Sequence, residues 1–181
     1  HDTYKTKKVW IKITPGQDRN LRIVLIKRSE STKVAELLSK GNFYVGKRKY
    51  KKAIKALKQA IHLNPNCVDA YTYLGIVYGF TGQYFEAMSA CKQALRIDPD
   101  FEDAHVCVGG VYFNLGRYSE AIEEYTQAIR LNPDHAMAYY GLGTAYLRSG
   151  NKNSAYDQYI ILKDLDKEKA DELFYSIFGF R

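Results

Sequence analysis

Apolar residues fall along the chain at helical spacing, and that spacing returns at a fixed interval. Tyr71, Leu74, Gly75 and Tyr78 stand at i, i+3, i+4 and i+7, one face of a helix. Ala87, Cys91, Ala94 and Leu95 form a second stripe at i, i+4, i+7 and i+8. Between the stripes lies TGQY at residues 81–84, whose glycine suits a helix C-terminus, and GRY recurs there at 116–118. After the second stripe comes IDP or LNP, where proline separates one helix from the next. The pattern predicts antiparallel helix pairs. Read in isolation, LGIVYGFTGQY at 74–84 has the look of a buried strand entering a glycine-rich phosphate loop; its periodic context assigns it instead to a helix and its turn.

A step of 34 residues organises the chain. It connects Gly41, Gly75, Gly109 and Gly143, then Tyr44, Tyr78, Tyr112 and Tyr146, then Ala53, Ala87, Ala121 and Ala155. Prolines fall at Pro65, Pro99 and Pro133, with Lys167 in the fourth slot. By period and signature residues the sequence resembles the tetratricopeptide repeat family. Four units follow, at 34–67, 68–101, 102–135 and 136–169. Two departures stand out: Arg48 replaces the turn glycine seen at Gly82, Gly116 and Gly150, and Lys152 replaces the turn tyrosine of Tyr50, Tyr84 and Tyr118. The fold class expected is all-α, a solenoid of helix–turn–helix repeats, with a short N-terminal extension resembling a β-hairpin. The resemblance implies a right-handed superhelix. The glycine and alanine have a packing reason, since helices approach to about 8–10 Å only where side chains at the contact are small.

The flanks differ from the repeats. In residues 1–33, KVWIKI and LRIVLIK are β-branched runs separated by TPGQDRN, a combination that predicts a hairpin or the remnant of a preceding domain. Trp10 is expected as a packing anchor. The C-terminal segment, 170–181, reads as a capping helix with Ala170, Leu173, Phe174, Ile177 and Phe178 on one stripe. Its further aromatics, Tyr175 and Phe180, also suit a self-association surface.

Composition narrows the function classes. A hydrophobic fraction of 46% supports a folded core, and no run of eighteen apolar residues reads as a membrane span. The chain opens on His1 and not on Met, so a removed signal or anchor is an open expectation, with the cytoplasm as default. Cys67, Cys91 and Cys107 are odd in number and lack CxxC spacing, so buried reduced thiols are expected. His1, His62, His105 and His135 show no metal-ligand spacing, and no nucleophile elbow or Walker sequence occurs. His105 and Cys107, two apart on a helix, point in different directions and make a poor dyad. No cofactor is expected and the chain reads as non-enzymatic.

The family resemblance implies that the first helix of each repeat lines a concave groove. Carried over repeat by repeat, Leu38 and Asn42 come from the first unit, and Asp69, Thr72, Tyr73, Ile76 and Phe80 from the second. Asp103, Val106, Phe113 and Asn114 come from the third, with Met137, Tyr140, Thr144 and Arg148 from the fourth. This lining suits a protein or peptide partner with apolar anchors and a basic residue near Asp69 and Asp103. Family members that grip acidic chaperone tails use a lysine where this chain has Leu38, and the two aspartates would repel such a tail. Gly79 stands where other repeats carry Val45, Phe113 and Leu147, which suggests a notch beside Phe80.

Charge is divided along the chain. Residues 1–67 hold seventeen Lys and Arg against four Asp and Glu, and residues 68–181 hold ten against sixteen. Lys47, Arg48, Lys49, Lys51, Lys52, Lys55 and Lys58 cluster on the turn and outer helix of the first repeat. A solvated face, docking to an acidic protein or anionic membrane surface, and self-association between the two halves all fit this asymmetry. Nucleic acid is disfavoured because aromatics do not interleave with the lysines. A targeting or assembly module, or the regulatory domain of a longer enzyme, stand as alternatives to a scaffold. The packing argument predicts that Gly75→Leu destabilises the fold by about 3 kcal/mol or more, measured by denaturant unfolding; an unchanged midpoint refutes it.

Overall fold

The computed structural model describes residues 18–179 of the 181-residue chain. Nine helices and no strand occur among the described residues: α1 (Asp18–Gly46), α2 (Tyr50–Leu63), α3 (Val68–Phe80), α4 (Tyr84–Ile97), α5 (Glu102–Asn114), α6 (Tyr118–Leu131), α7 (Ala136–Arg148), α8 (Lys152–Leu165) and α9 (Lys167–Phe178). Three-residue turns join α1 to α2, α3 to α4, α5 to α6 and α7 to α8, so each pair is antiparallel. α3 packs on α1 and α5, and α5 on α7, which makes the odd-numbered helices one continuous inner wall.

Each hairpin turn is built by one hydrogen-bond motif. The Gln83 N–H donates to the Tyr78 carbonyl at 2.9 Å and the Gly82 N–H to the Gly79 carbonyl at 3.1 Å, which closes a Schellman cap. The same pair of bonds recurs at Lys49 and Arg48, at Arg117 and Gly116, and at Asn151 and Gly150. The motif needs a left-handed residue. Gly82, Gly116 and Gly150 supply it at φ of 75°, 74° and 89°, and Arg48 adopts it at 54° despite its side chain.

The linkers between pairs are also uniform. The Asn64, Asp98 and Asn132 side chains each accept a backbone N–H two residues on, at 3.1 Å, around the repeated prolines. At the fourth such position Asp166 accepts the Lys169 N–H instead, also at 3.1 Å. With Lys167 in the proline slot, α9 starts at once.

The shared glycine row sets the helix separation. An ideal Cβ on Gly41 would lie 2.9 Å from Leu57, and one on Gly109 2.9 Å from Tyr125. On Gly143 it would meet Leu173 of α9 at 2.5 Å, so α9 seals the last repeat through the same contact. Ala53, Ala87, Ala121 and Ala155 are fully buried opposite.

Two expectations are corrected. LRIVLIK, at 21–27, lies inside α1 and is not a strand; KVWIKI lies outside the described residues. No glycine or proline interrupts residues 18–40, so a helix nucleated on the first repeat extends back through β-branched residues at small cost per residue. Cys91 and Cys107 are bonded as a disulfide, with Cα atoms 5.9 Å apart, and Cys67 alone is free and buried. The turn geometry predicts that Arg48→Gly stabilises the protein by up to about 1 kcal/mol, while Gly82→Arg costs a similar amount, both read from denaturant midpoints.

Candidate binding groove

The inner wall of α3, α5 and α7 holds a pocket of about 770 Å³. Eight of the fifteen residues predicted to line the groove border it: Ile76, Phe80, Val106, Phe113, Asn114, Met137, Tyr140 and Thr144. Among the described residues no charged side chain borders it. Phe80 and Met137 are 62% and 46% exposed at its rim, large apolar groups left open to solvent.

The pocket exists because side chains are missing. A Cβ on Gly79 would have nothing within 4 Å, and one on Gly110 would come no nearer than 3.8 Å, to the Tyr125 hydroxyl. One repeat away these positions carry bulkier residues: Val45 and Phe113 for Gly79, Ile76 and Thr144 for Gly110. The floor shows a related trade across each inter-repeat boundary. Leu57 belongs to the cluster that Tyr73 packs against, Cys91 joins Cys107, and Tyr125 covers Gly141, where a Cβ would lie 2.5 Å from its ring. Each pair is sixteen residues apart, so one lattice site is filled in three ways. The sulfur pair and the glycines around it leave the void at the centre of the wall.

The other predicted lining residues lie elsewhere. Leu38 and Tyr73 are half-buried against the first-repeat core, and Asn42, Asp69 and Arg148 are exposed beyond the pocket. Thr72 is corrected: it is buried, its hydroxyl donates to the Val68 carbonyl at 3.1 Å, and a short side chain bonded to its own helix does not reach a ligand. Asp103 already has a partner, because His135 Nε2 donates to its Oδ1 at 2.8 Å. Cys107, Gly110 and Gly141 border the pocket as well, as does Tyr125, whose phenol is pushed up by burial.

The periodic position of His105 gives it a packing slot but carries no sign of its polar role. Nδ1 lies 2.7 Å from Glu124 Oε2 and Nε2 3.0 Å from the Pro99 carbonyl oxygen. Both neighbours only accept, so the ring satisfies both as a doubly protonated donor. The Glu124 hydrogen bond accordingly raises its pKa, against the desolvation that lowers it. His135 is raised too, first through its bond to Asp103. With Cys107 bonded to Cys91 and His105 held by Glu124, no dyad forms. Among the described residues no cluster of His, Cys, Asp and Glu could hold a metal ion, and no helix is long and apolar enough to cross a membrane.

The seven clustered basic residues at 47–58 are exposed, and among the described residues none is in an ion pair. Lys52 and Lys58 stand 5.9 Å from the ring centroids of Tyr44 and Tyr78. The charge changes along the outer face: Lys55 is followed at the same position by Ser89, Glu123 and Asp157.

Antiparallel helix pairs repeating every 34 residues, Schellman turns and a continuous inner wall define a helical-repeat solenoid. Tetratricopeptide repeat models match residues 41–79 and 109–150, and a further one matches 68–101; the chain belongs to the tetratricopeptide repeat family. The fold is similar to that of TTC0263, a thermophilic repeat protein of Thermus thermophilus, with a TM-score of 0.73 and 19% identity over 80% of this chain and 82% of that one. Pseudomonas aeruginosa pilF superposes with a TM-score of 0.71 and 19% identity, over 81% and 70% of the two chains. The first repeat domain of Spaghetti (RPAP3), bound to the HSP90 peptide SRMEEVD, matches at 0.60 and 24%, over 66% and 95%. No curated protein matches the sequence closely enough to count as a relative.

Both histidines have folded-state pKa values above their unfolded ones. Their contribution is full below about pH 6.5 and is lost as pH rises through the raised values. The melting temperature is therefore expected to fall as pH rises from about 6 to about 9, and a His105→Gln, His135→Gln variant to flatten that fall in a calorimetric series.

Proposed function

We propose that this chain is a non-enzymatic scaffold that holds a segment of a partner protein on its inner wall. The observation that carries the reading is the uncharged pocket of about 770 Å³ between exposed Phe80 and Met137. A pocket of this size and chemistry accepts a bulky apolar side chain as an anchor. Asp69, exposed at one end of the wall, favours a basic residue on the same segment. The peptide held by the Spaghetti domain is acidic, SRMEEVD. Leu38 in the lysine slot, with Asp69 and Asp103 nearby in sequence register, argues against an acidic tail here.

A second reading rests on the lysine cluster. Seven exposed cations without ion pairs among the described residues would serve as a docking face for an acidic protein or an anionic membrane surface. Either surface would also serve as the recruiting module of an attached enzyme.

Gly79→Leu separates these roles. Its Cβ meets nothing, so the fold should stand, with the helix gaining about 0.5–1 kcal/mol over glycine, while the pocket fills. Crosslinking mass spectrometry in native extract should then lose the groove partner, as should Phe80→Ala with Phe113→Ala, both at the pocket. Replacing the seven basic residues by Gln should leave that partner in place. Retention in Gly79→Leu together with loss in the glutamine variant would transfer the function to the basic face.

A further inference from the structure

We infer that the Cys91–Cys107 disulfide is a redox control of the groove, open to an apolar anchor when oxidised and obstructed when reduced. The inference rests on the groove reading and adds its regulation. The bond ties α4 to α5, and so joins the second helix pair to the third at the middle of the inner wall. Cys91 is fully buried, whereas Cys107 borders the pocket. Among the described residues no other inter-repeat boundary is covalent: Leu57 with Tyr73 and Tyr125 with Gly141 fill the equivalent sites by packing alone. A sulfur pair is thus not required by the fold.

The surroundings dictate what reduction does. Bonded sulfurs sit about 2 Å apart, and reduced thiols need about 3.5–4 Å. Gly75 lies against the pair: a Cβ there would be 2.4 Å from Cys91 Sγ, 2.7 Å from Cys107 Sγ and 3.2 Å from the Ala87 carbonyl oxygen. Cys91 is fully buried, and the open space beside the pair is the pocket, which Cys107 and Gly75 both border. The added separation is therefore taken up by Cys107 moving into the pocket, between Gly79, Gly110 and Gly141.

The chemistry is exchange with a dithiol. Its thiolate attacks Cys107 Sγ, the sulfur that borders the groove, and the Cys91 sulfur leaves and takes a proton. The second thiol of the reductant then displaces Cys107, so the dithiol is oxidised to its own disulfide and both cysteines end as thiols. A segment seated in the pocket covers Cys107 and shields the bond.

The full chain tests this in two measurements. Thiol counting in denaturant should find one thiol, Cys67, without reductant and three after dithiothreitol; three at the outset overturn the proposal. The apolar probe 8-anilinonaphthalene-1-sulfonate should fluoresce with the oxidised protein, and dithiothreitol should lower the signal to that of Gly79→Leu. A Cys91→Ala, Cys107→Ala variant, whose fold the sulfur-free boundaries support, should bind the probe and ignore dithiothreitol, melting about 5–10 °C below the oxidised protein. Probe binding that needs Gly79 but ignores reductant refutes the switch and leaves the groove standing. Probe binding indifferent to Gly79→Leu removes the groove reading and the switch with it, even if the disulfide is present.

Discussion

The structure depends on a close approach between two helices at a position with no side chain. Gly41, Gly75, Gly109 and Gly143 let the inner helix of each pair meet a residue sixteen positions later, or α9 in the last pair. This contact fixes the helix separation within a pair. The Schellman turn fixes its angle, and the Asx-capped linker sets each pair on the next. Because every unit solves the same problem, the core is a series of small clusters along the chain and not a single centre.

The pocket arises where that regularity is relaxed. The lattice site under the wall holds Leu57 with Tyr73, the sulfur pair, or Tyr125 with Gly141. The backbone geometry tolerates all three, but they distribute volume differently. Where volume is withdrawn, at Gly79, Gly110 and the sulfur pair, a pocket opens without loss of the repeat. The exposed phenylalanine and methionine at its edge mark it as a surface suited to being covered.

Much of this is legible in the sequence because a repeat compares each residue with three others. The helix pairs, the turn glycines and the anomalous Arg48 and Gly79 follow from stepping by 34. The N-terminal segment has no such copies, so its β-branched run suggests a strand although it continues α1. Thr72 shares register with Leu38, Val106 and Tyr140, and register does not report that a hydroxyl turns back on its own helix. The sulfur pair is detectable in principle: stepping from Cys91 leads to Leu57 and Tyr125, and from Cys107 to Tyr73 and Gly141, two rows that face each other. The His105–Glu124 bond links residues nineteen apart on different helices and has no periodic signal.

The covalent tie at the second boundary also alters how the solenoid comes apart. A stack of units joined only to neighbours can fray inward from either end, one helix pair at a time. A bond between α4 and α5 places a clasp at mid-length. Fraying from the N-terminal side or from α9 stops at the second and third pairs, which open together or not at all. The groove centre is thereby the last part of the molecule to melt, and the two ends become the compliant ones.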